Sequence, residues 1–355
     1  MDGITRREFM RRLLAWGLGA AGAGALLSCG SEPTPRPTLR PTEARPTGTP
    51  WPTFTPLPTA RPTEPPATAA PPTSTPEPVA TPMPRPGEAY LAVARGESPA
   101  AIVQAALRAL GGIERFVKPG DDIIIKPNIC VAYHTYEYAA TTNPEVVAAL
   151  VALCLGAGAR RVRVMDMPFG GTPDQAYARS GIGEAVQAAG GEMEVMSRMK
   201  YQDTAIPEGR DIRQWSVYQD VLKADVFIDV PIAKHHSLAR LTLGMKNLMG
   251  VIQNRSGMHI NLGQRIADLT SLVRPTLTVV DAVRILMDHG PTGGSLDDVK
   301  LTNTVIASQD IIAADAYAAT LFGLTGADIP AIVAGAAMGL GTMDLGSVKV
   351  EEIAV

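Results

Sequence analysis

The run ADVFIDVPIAKHH, residues 224–236, decides the fold. From Val226 to Ala233 it is apolar apart from Asp229, with none of the alternation of a half-buried strand. Such a run predicts a strand buried on both faces. It ends in Lys234-His235-His236, so the chain leaves the core with three polar, chemically capable side chains in a row.

The neighbouring segments repeat the pattern. DDIIIKPN (121–128) is a β-branched run, and RVRVMD (161–166) is a second. Between them Asn143-Pro144-Glu145 opens a helix with a cap residue, proline at the first position and an acid in the first turn. This predicts a right-handed βαβ unit. Further strands are predicted at MEVM (193–196), TLTVVDAV (276–283) and NTVIASQD (303–310), with helices at Gln175–Ala189, Leu241–Leu248 and Arg265–Val273. Two apolar helical stretches after Asp310 close the chain. The expected fold is α/β: a mainly parallel sheet flanked by helices on both faces, a Rossmann-like three-layer sandwich.

Residues 1–29 read as an address. Thr5-Arg6-Arg7-Glu8-Phe9-Met10 is a twin-arginine pattern, followed by an apolar stretch to Leu27, too short to span a bilayer. Ser28-Cys29 after two leucines resembles a lipobox, which makes Cys29 the expected lipidation site. The expectation is export through the twin-arginine translocase and a lipid anchor on the outer face of the membrane. An uncleaved N-terminal anchor and a secreted form are the alternatives. Residues 30–86 hold nineteen of the thirty prolines, interleaved with threonine, and read as an extended, disordered tether. That leaves 87–355 for a single α/β domain.

Removing the nine basic and six acidic residues of the first 86 leaves 23 basic against 29 acidic, with no basic run to suit nucleic acid. Besides Cys29 there are only Cys130 and Cys154, either one disulfide or two reduced thiols. Their spacing fits no zinc or iron–sulfur pattern.

Polar residues gather at the predicted carboxyl ends of strands: Lys126 and Asn128, Asp166, Lys234 to His236, Asp281, and Gln309 with Asp310. In open parallel sheets ligands bind there. The segments IIIKPN, TTNPEVV, FIDVPIAKHH, LGMKNLMG, IADL, VVDAV, HGPTGG and ASQDIIAADAYAATLFG, in this order from about residue 120 to 345, resemble the family named domain of unknown function 362. That resemblance implies no established reaction. Some relatives carry ferredoxin-type cysteine motifs, but no C-x-x-C-x-x-C run exists here.

A lysine at a buried strand end needs an anion. Lys126, Lys234 and Lys246, with Asn128, His235 and Asp281, form the expected catalytic group. Asn247, Gly290, Gly293 and Asp310 are the expected substrate contacts. Snorkelling to solvent, or pairing with aspartates such as Asp229, Asp281 or Asp315, is the competing explanation for the lysines. Adjacent histidines on an extended chain point to opposite sides, so at most one of His235 and His236 faces a given site. A divalent transition metal on His236, His259, Asp268 and His289 is a further possibility, set against purely structural histidines. No nucleotide-binding glycine pattern follows a strand. The leading functional reading is an enzyme acting on a small anionic substrate through Lys, His and Asp groups. The alternative is a non-catalytic ligand- or metal-capturing protein at the cell surface. A redox protein with an iron–sulfur centre comes third.

Overall fold

The computed structural model describes residues 90–355. The signal-type segment, Cys29 and the tether lie outside the described residues. The strands are β1 (Leu91–Arg95), β2 (Asp122–Pro127), β3 (Arg161–Val164), β4 (Glu192–Met193), β5 (Tyr201–Ala205), β6 (Gln214–Tyr218), β7 (Val226–Val230), β8 (Ile232–His236), β9 (Arg240–Thr242), β10 (Leu277–Leu286), β11 (Val299–Ser308) and β12 (Val350–Ala354). The main sheet runs β12-β1-β11-β10-β7-β2-β3-β4, with β8 paired to β10 and β9. From β10 through β4 that order is parallel throughout. β11 is antiparallel to both β1 and β10, so the sheet is mainly parallel rather than purely so. β5 and β6 form a separate antiparallel pair.

Period-two alternation divides the core between the two faces. Ile123 and Ile125 point into one apolar layer, with the helices Pro99–Ala109, Pro144–Gly156, Pro173–Ser180 and Ile182–Ala188. Ile124 and Phe227 point into the other, under the helices Gly244–Asn247, Leu262–Leu272, Ile311–Thr320 and Pro330–Ala337. The same alternation puts Lys126 on the Ile124 face and Asp229 on the Phe227 face. The two are register partners in β2 and β7, so a buried lysine and a buried aspartate lie side by side beneath the Gly244–Asn247 helix.

Three local expectations are revised. The run 224–236 is two strands: Pro231 has no N–H to donate, and its carbonyl instead accepts the Asp281 N–H at 2.8 Å. The helix expected over Gln175–Ala189 is broken at Gly181, which sits at φ 77°. Of the helix expected over Leu241–Leu248, only Gly244–Asn247 is α-helical. Arg240 at φ 65° turns the chain back so that Leu241 and Thr242 pair with β8. The Pro144–Gly156 helix forms as expected, and the Asn143 side chain accepts the Glu145 N–H at 2.8 Å.

Candidate active site

A cavity of about 260 Å³ opens beyond the carboxyl ends of β3, β2 and β8. Its floor is a connected polar network. Lys126 Nζ forms an ion pair with Asp166 Oδ1 at 2.8 Å and donates to the Pro127 carbonyl at 2.9 Å and to Asn247 Oδ1 at 3.0 Å. Asn247 Oδ1 also accepts from Asn128 Nδ2 at 2.8 Å, and its own Nδ2 donates to Asp229 Oδ1 at 2.8 Å. Asn128 Oδ1 in turn accepts from Lys234 Nζ at 3.0 Å, and Lys234 also donates to the Ala140 carbonyl at 2.6 Å. Burial pushes the Asp229 carboxyl well above the usual carboxylate range, against the pull of Lys126 and the Asn247 amide. Burial likewise lowers the Lys234 ammonium, with the adjacent Cys130 thiol pulling the other way.

Gly250 closes the floor. A Cβ there would fall 2.2 Å from Asp166 Oδ1 and 2.6 Å from Lys126 Nζ. Gly250→Ala is therefore expected to cost about 1–3 kcal/mol of stability, as overpacking does in a filled core. Urea unfolding of the two proteins measures it, and an unchanged midpoint would mean that the ion pair can shift freely.

Above the floor stand groups with spare capacity. Lys246 projects from the Gly244–Asn247 helix and makes no hydrogen bond or ion pair among the described residues. Burial first, then Lys234, Arg255 and Lys126, pull its ammonium down to about 8. The helix that carries it is fixed from below: Asp315 accepts the Gly244 and Met245 N–H groups at 2.7 and 2.9 Å. His236 Nδ1 accepts the Leu238 and Ala239 N–H groups, so the proton of the neutral ring sits on Nε2. Burial, with Lys246 and Lys234 adding repulsion, brings His236 down to about 3, and at neutral pH it is an uncharged donor. Arg255 reaches the cavity from the segment after Val251, its guanidinium donating to the Met167 carbonyl at 2.7 Å and, among the described residues, to no other group.

Lys126, Asn128, Lys234, Lys246 and Asn247 thus converge as expected from sequence. Others do not. His235 points away from the cavity, its Nδ1 accepting the Gly290 N–H at 3.1 Å, and His236 is the inward member of the pair. Asp281 is fully buried and holds the Asn143 and Val283 N–H groups at 2.7 and 2.9 Å, so it fastens a helix start and touches no ligand space. Desolvation pushes it up to about 6. Asp310 is the cap of the Ile311–Thr320 helix and also accepts from Tyr90 Oη at 2.6 Å. Gly290 allows close packing on the His235 carbonyl, where a Cβ would fall 1.8 Å away, and Gly293 serves a turn at φ 91°. From that loop it is Pro291 that lines the cavity.

The four expected metal ligands do not form one group: His236 and His259 line the same cavity, whereas Asp268 and His289 lie outside it. Asp268 is occupied by the Arg210, Asp211 and Ile212 N–H groups. His289 pairs with Asp298 at 2.9 Å. The His236 tautomer leaves Nε2 protonated, and His259 stands at the mouth with Nδ1 donating to the Arg255 carbonyl at 3.0 Å. Among the described residues no three His, Cys, Asp or Glu side chains form a metal-holding group.

Three contributors were missed as site residues. Asp166 was legible as a strand-end aspartate. Cys130 lies within the expected site segment and is a free thiol on the cavity wall, whereas Cys154 is free and buried in the opposite layer. Arg255 had no signal, because the return path of its loop is set by tertiary packing.

The family model described as "Domain of unknown function (DUF362)" matches residues 123–320, a span that includes every residue of the network. The thylakoid-associated protein sll1697 of Synechocystis sp. is 27% identical over 249 residues, covering 66% of this chain and 73% of that protein. Among solved structures, the lactate racemase apoprotein from Thermoanaerobacterium thermosaccharolyticum gives a TM-score of 0.38 at 10% identity over 62% of this chain and 54% of that one. A protein from Thermotoga maritima gives 0.41 at 10% identity over 64% and 60%. This chain spans only part of the length of both.

Proposed function

This chain belongs to the DUF362 family of domains of unknown function, and from that premise and its cleft we propose that it is an enzyme acting on a small organic anion. One observation carries the reading. Lys234, Lys246 and Arg255 converge on one cavity, and among the described residues none of the three has a carboxylate partner. A half-buried or buried cation without a counter-ion is costly, and an anionic ligand removes the cost. Lys126 is not part of the count, because Asp166 already neutralises it.

The roles follow from spare valences. Arg255 offers a planar fork suited to a carboxylate or phosphate. Lys234 adds charge from below, and His236 offers an uncharged N–H donor. Lys246 holds a proton that leaves near pH 8, which places it in the range where a lysine works as acid or base.

The test combines titration calorimetry with turnover. Wild-type protein is expected to bind a small aryl or alkyl carboxylate, and Arg255→Gln to weaken it by about 10–100-fold, the loss of one charge-assisted contact. Equal affinity in the variant would remove Arg255 from the site. Binding without product in incubations with candidate acids would favour a capture protein over an enzyme.

A further inference from the structure

Building on that anion-pocket reading, we propose that Lys246 is a covalent centre that forms an imine with the carbonyl of an oxo-carboxylate bearing an apolar substituent. Three features of the cleft converge on this chemistry. The first is the amine itself, which is nearly buried and without a partner among the described residues. It is held on a helix whose start Asp315 clamps and whose last residue, Asn247, is locked into the network. The charged and titratable groups around it in the cavity are Lys126, Lys234, Arg255, His236, His259, Cys130 and Asp166, and the one carboxylate among them, Asp166, is ion-paired with Lys126. A desolvated lysine beside other cations favours its neutral, nucleophilic form.

The second feature is a donor set for the rest of such a substrate. Arg255 and Lys234 suit its carboxylate, and the protonated Nε2 of His236 suits the carbonyl oxygen. The third is the wall. Ile129, Met167 and Met249 line the cavity, and Phe169 and Leu238, 72% and 70% exposed, stand at its mouth. A bare inorganic anion has no use for that surface, whereas an aryl or branched alkyl group does.

In the step itself, the unprotonated Nζ attacks the carbonyl carbon. An N–C bond forms and the C–O π bond opens to a carbinolamine. The C–O bond then breaks, the oxygen leaves as water carrying the two amine hydrogens, and a C=N bond remains. No oxidant or reductant is involved. The imine withdraws electrons from the adjacent carbon, which eases proton loss there.

The full-length chain is incubated with phenylpyruvate or pyruvate, reduced with borohydride and mapped by peptide mass. The expected product is a Lys246 peptide heavier by the mass of the acid less one oxygen. It should form at least about tenfold faster than on any surface lysine, since at pH 8 an amine with a pKa near 8 is far more deprotonated than an ordinary lysine. Phenyllactate, which lacks the carbonyl, should bind in calorimetry and give no adduct. Binding of phenylpyruvate without an adduct on Lys246 overturns the imine and leaves the anion pocket standing. Failure of all these acids to bind or react overturns both. Labelling spread evenly over exposed lysines such as Lys118 and Lys349 also overturns the imine.

Discussion

Replacing Lys126 with methionine is expected to destabilise the fold by about 3–5 kcal/mol, because it strands a buried carboxylate. Asp166 is 4% exposed and has Lys126 as its ion-pair partner at 2.8 Å. The same change removes a donor to Asn247, loosening the helix that carries Lys246. Urea unfolding followed by circular dichroism measures the loss. The double variant Lys126→Met/Asp166→Leu is expected to recover part of it, since exchanging a whole buried ion pair for apolar groups is often close to neutral. Recovery stops short of wild type because Asp166 Oδ2 also accepts the Ile129 N–H at 2.7 Å. A single variant as stable as wild type would show that this pair does not organise the floor.

The second large effect has the opposite sign. Lys246→Met is expected to abolish anion binding and, in the absence of ligand, to raise stability at neutral pH. Its amine falls from 10.5 to about 8 on folding, so the folded state disfavours the proton that the unfolded chain retains. Below pH 8 that penalty is fully present, on the order of 3 kcal/mol. Between pH 8 and 10.5 the unfolded state binds more protons than the folded one, so wild-type stability rises with pH through this window. The methionine variant should lack that rise and show its advantage only below it. Unfolding midpoints at pH 7 and pH 10.5 decide the matter. A variant less stable than wild type at pH 7 would mean that Lys246 has a structural partner after all.

The opposed signs separate two kinds of lysine in one cleft. Lys126 is paired with a carboxylate and belongs to the architecture. Lys246 is held in place without a partner, a cost in stability that makes sense only if something else binds it.

Much of the layout was legible in the residues. Apolar runs as long as IIIKP and VFIDV have to be buried on both faces, and their polar ends have to meet at one sheet edge. Lys126, Asn128 and Lys234 reach one cavity from such ends, and Lys246 and Asn247 reach it from the helix that follows. What periodicity does not contain is which way a polar side chain turns once the strand ends. His235 and His236 are equivalent in sequence, and only the pairing of β8 with β9 sends His236 inward. Asp310 follows a strand as Asp166 does, whereas Asp281, expected at a strand end, falls inside β10, and backbone N–H groups of helix starts claim both carboxylates. An aspartate before a helix is as often a cap as a site residue, and sequence position does not tell the two apart. The expected metal set failed for the same reason, with Asp268 serving three backbone donors. Arg255 lay beyond sequence reasoning because a turn at Asn254, φ 50°, sets the course of its loop.

If the cleft presents an unpartnered lysine to an anion, a site-resolved titration of Lys246 by NMR of the labelled side chain, assigned with Lys246→Met, with and without phenyllactate, will show it. The expected result is a transition near pH 8 that moves up toward the ordinary lysine value when the acid binds. A Lys246 that titrates with the surface lysines, and does not respond to the acid, would contradict it.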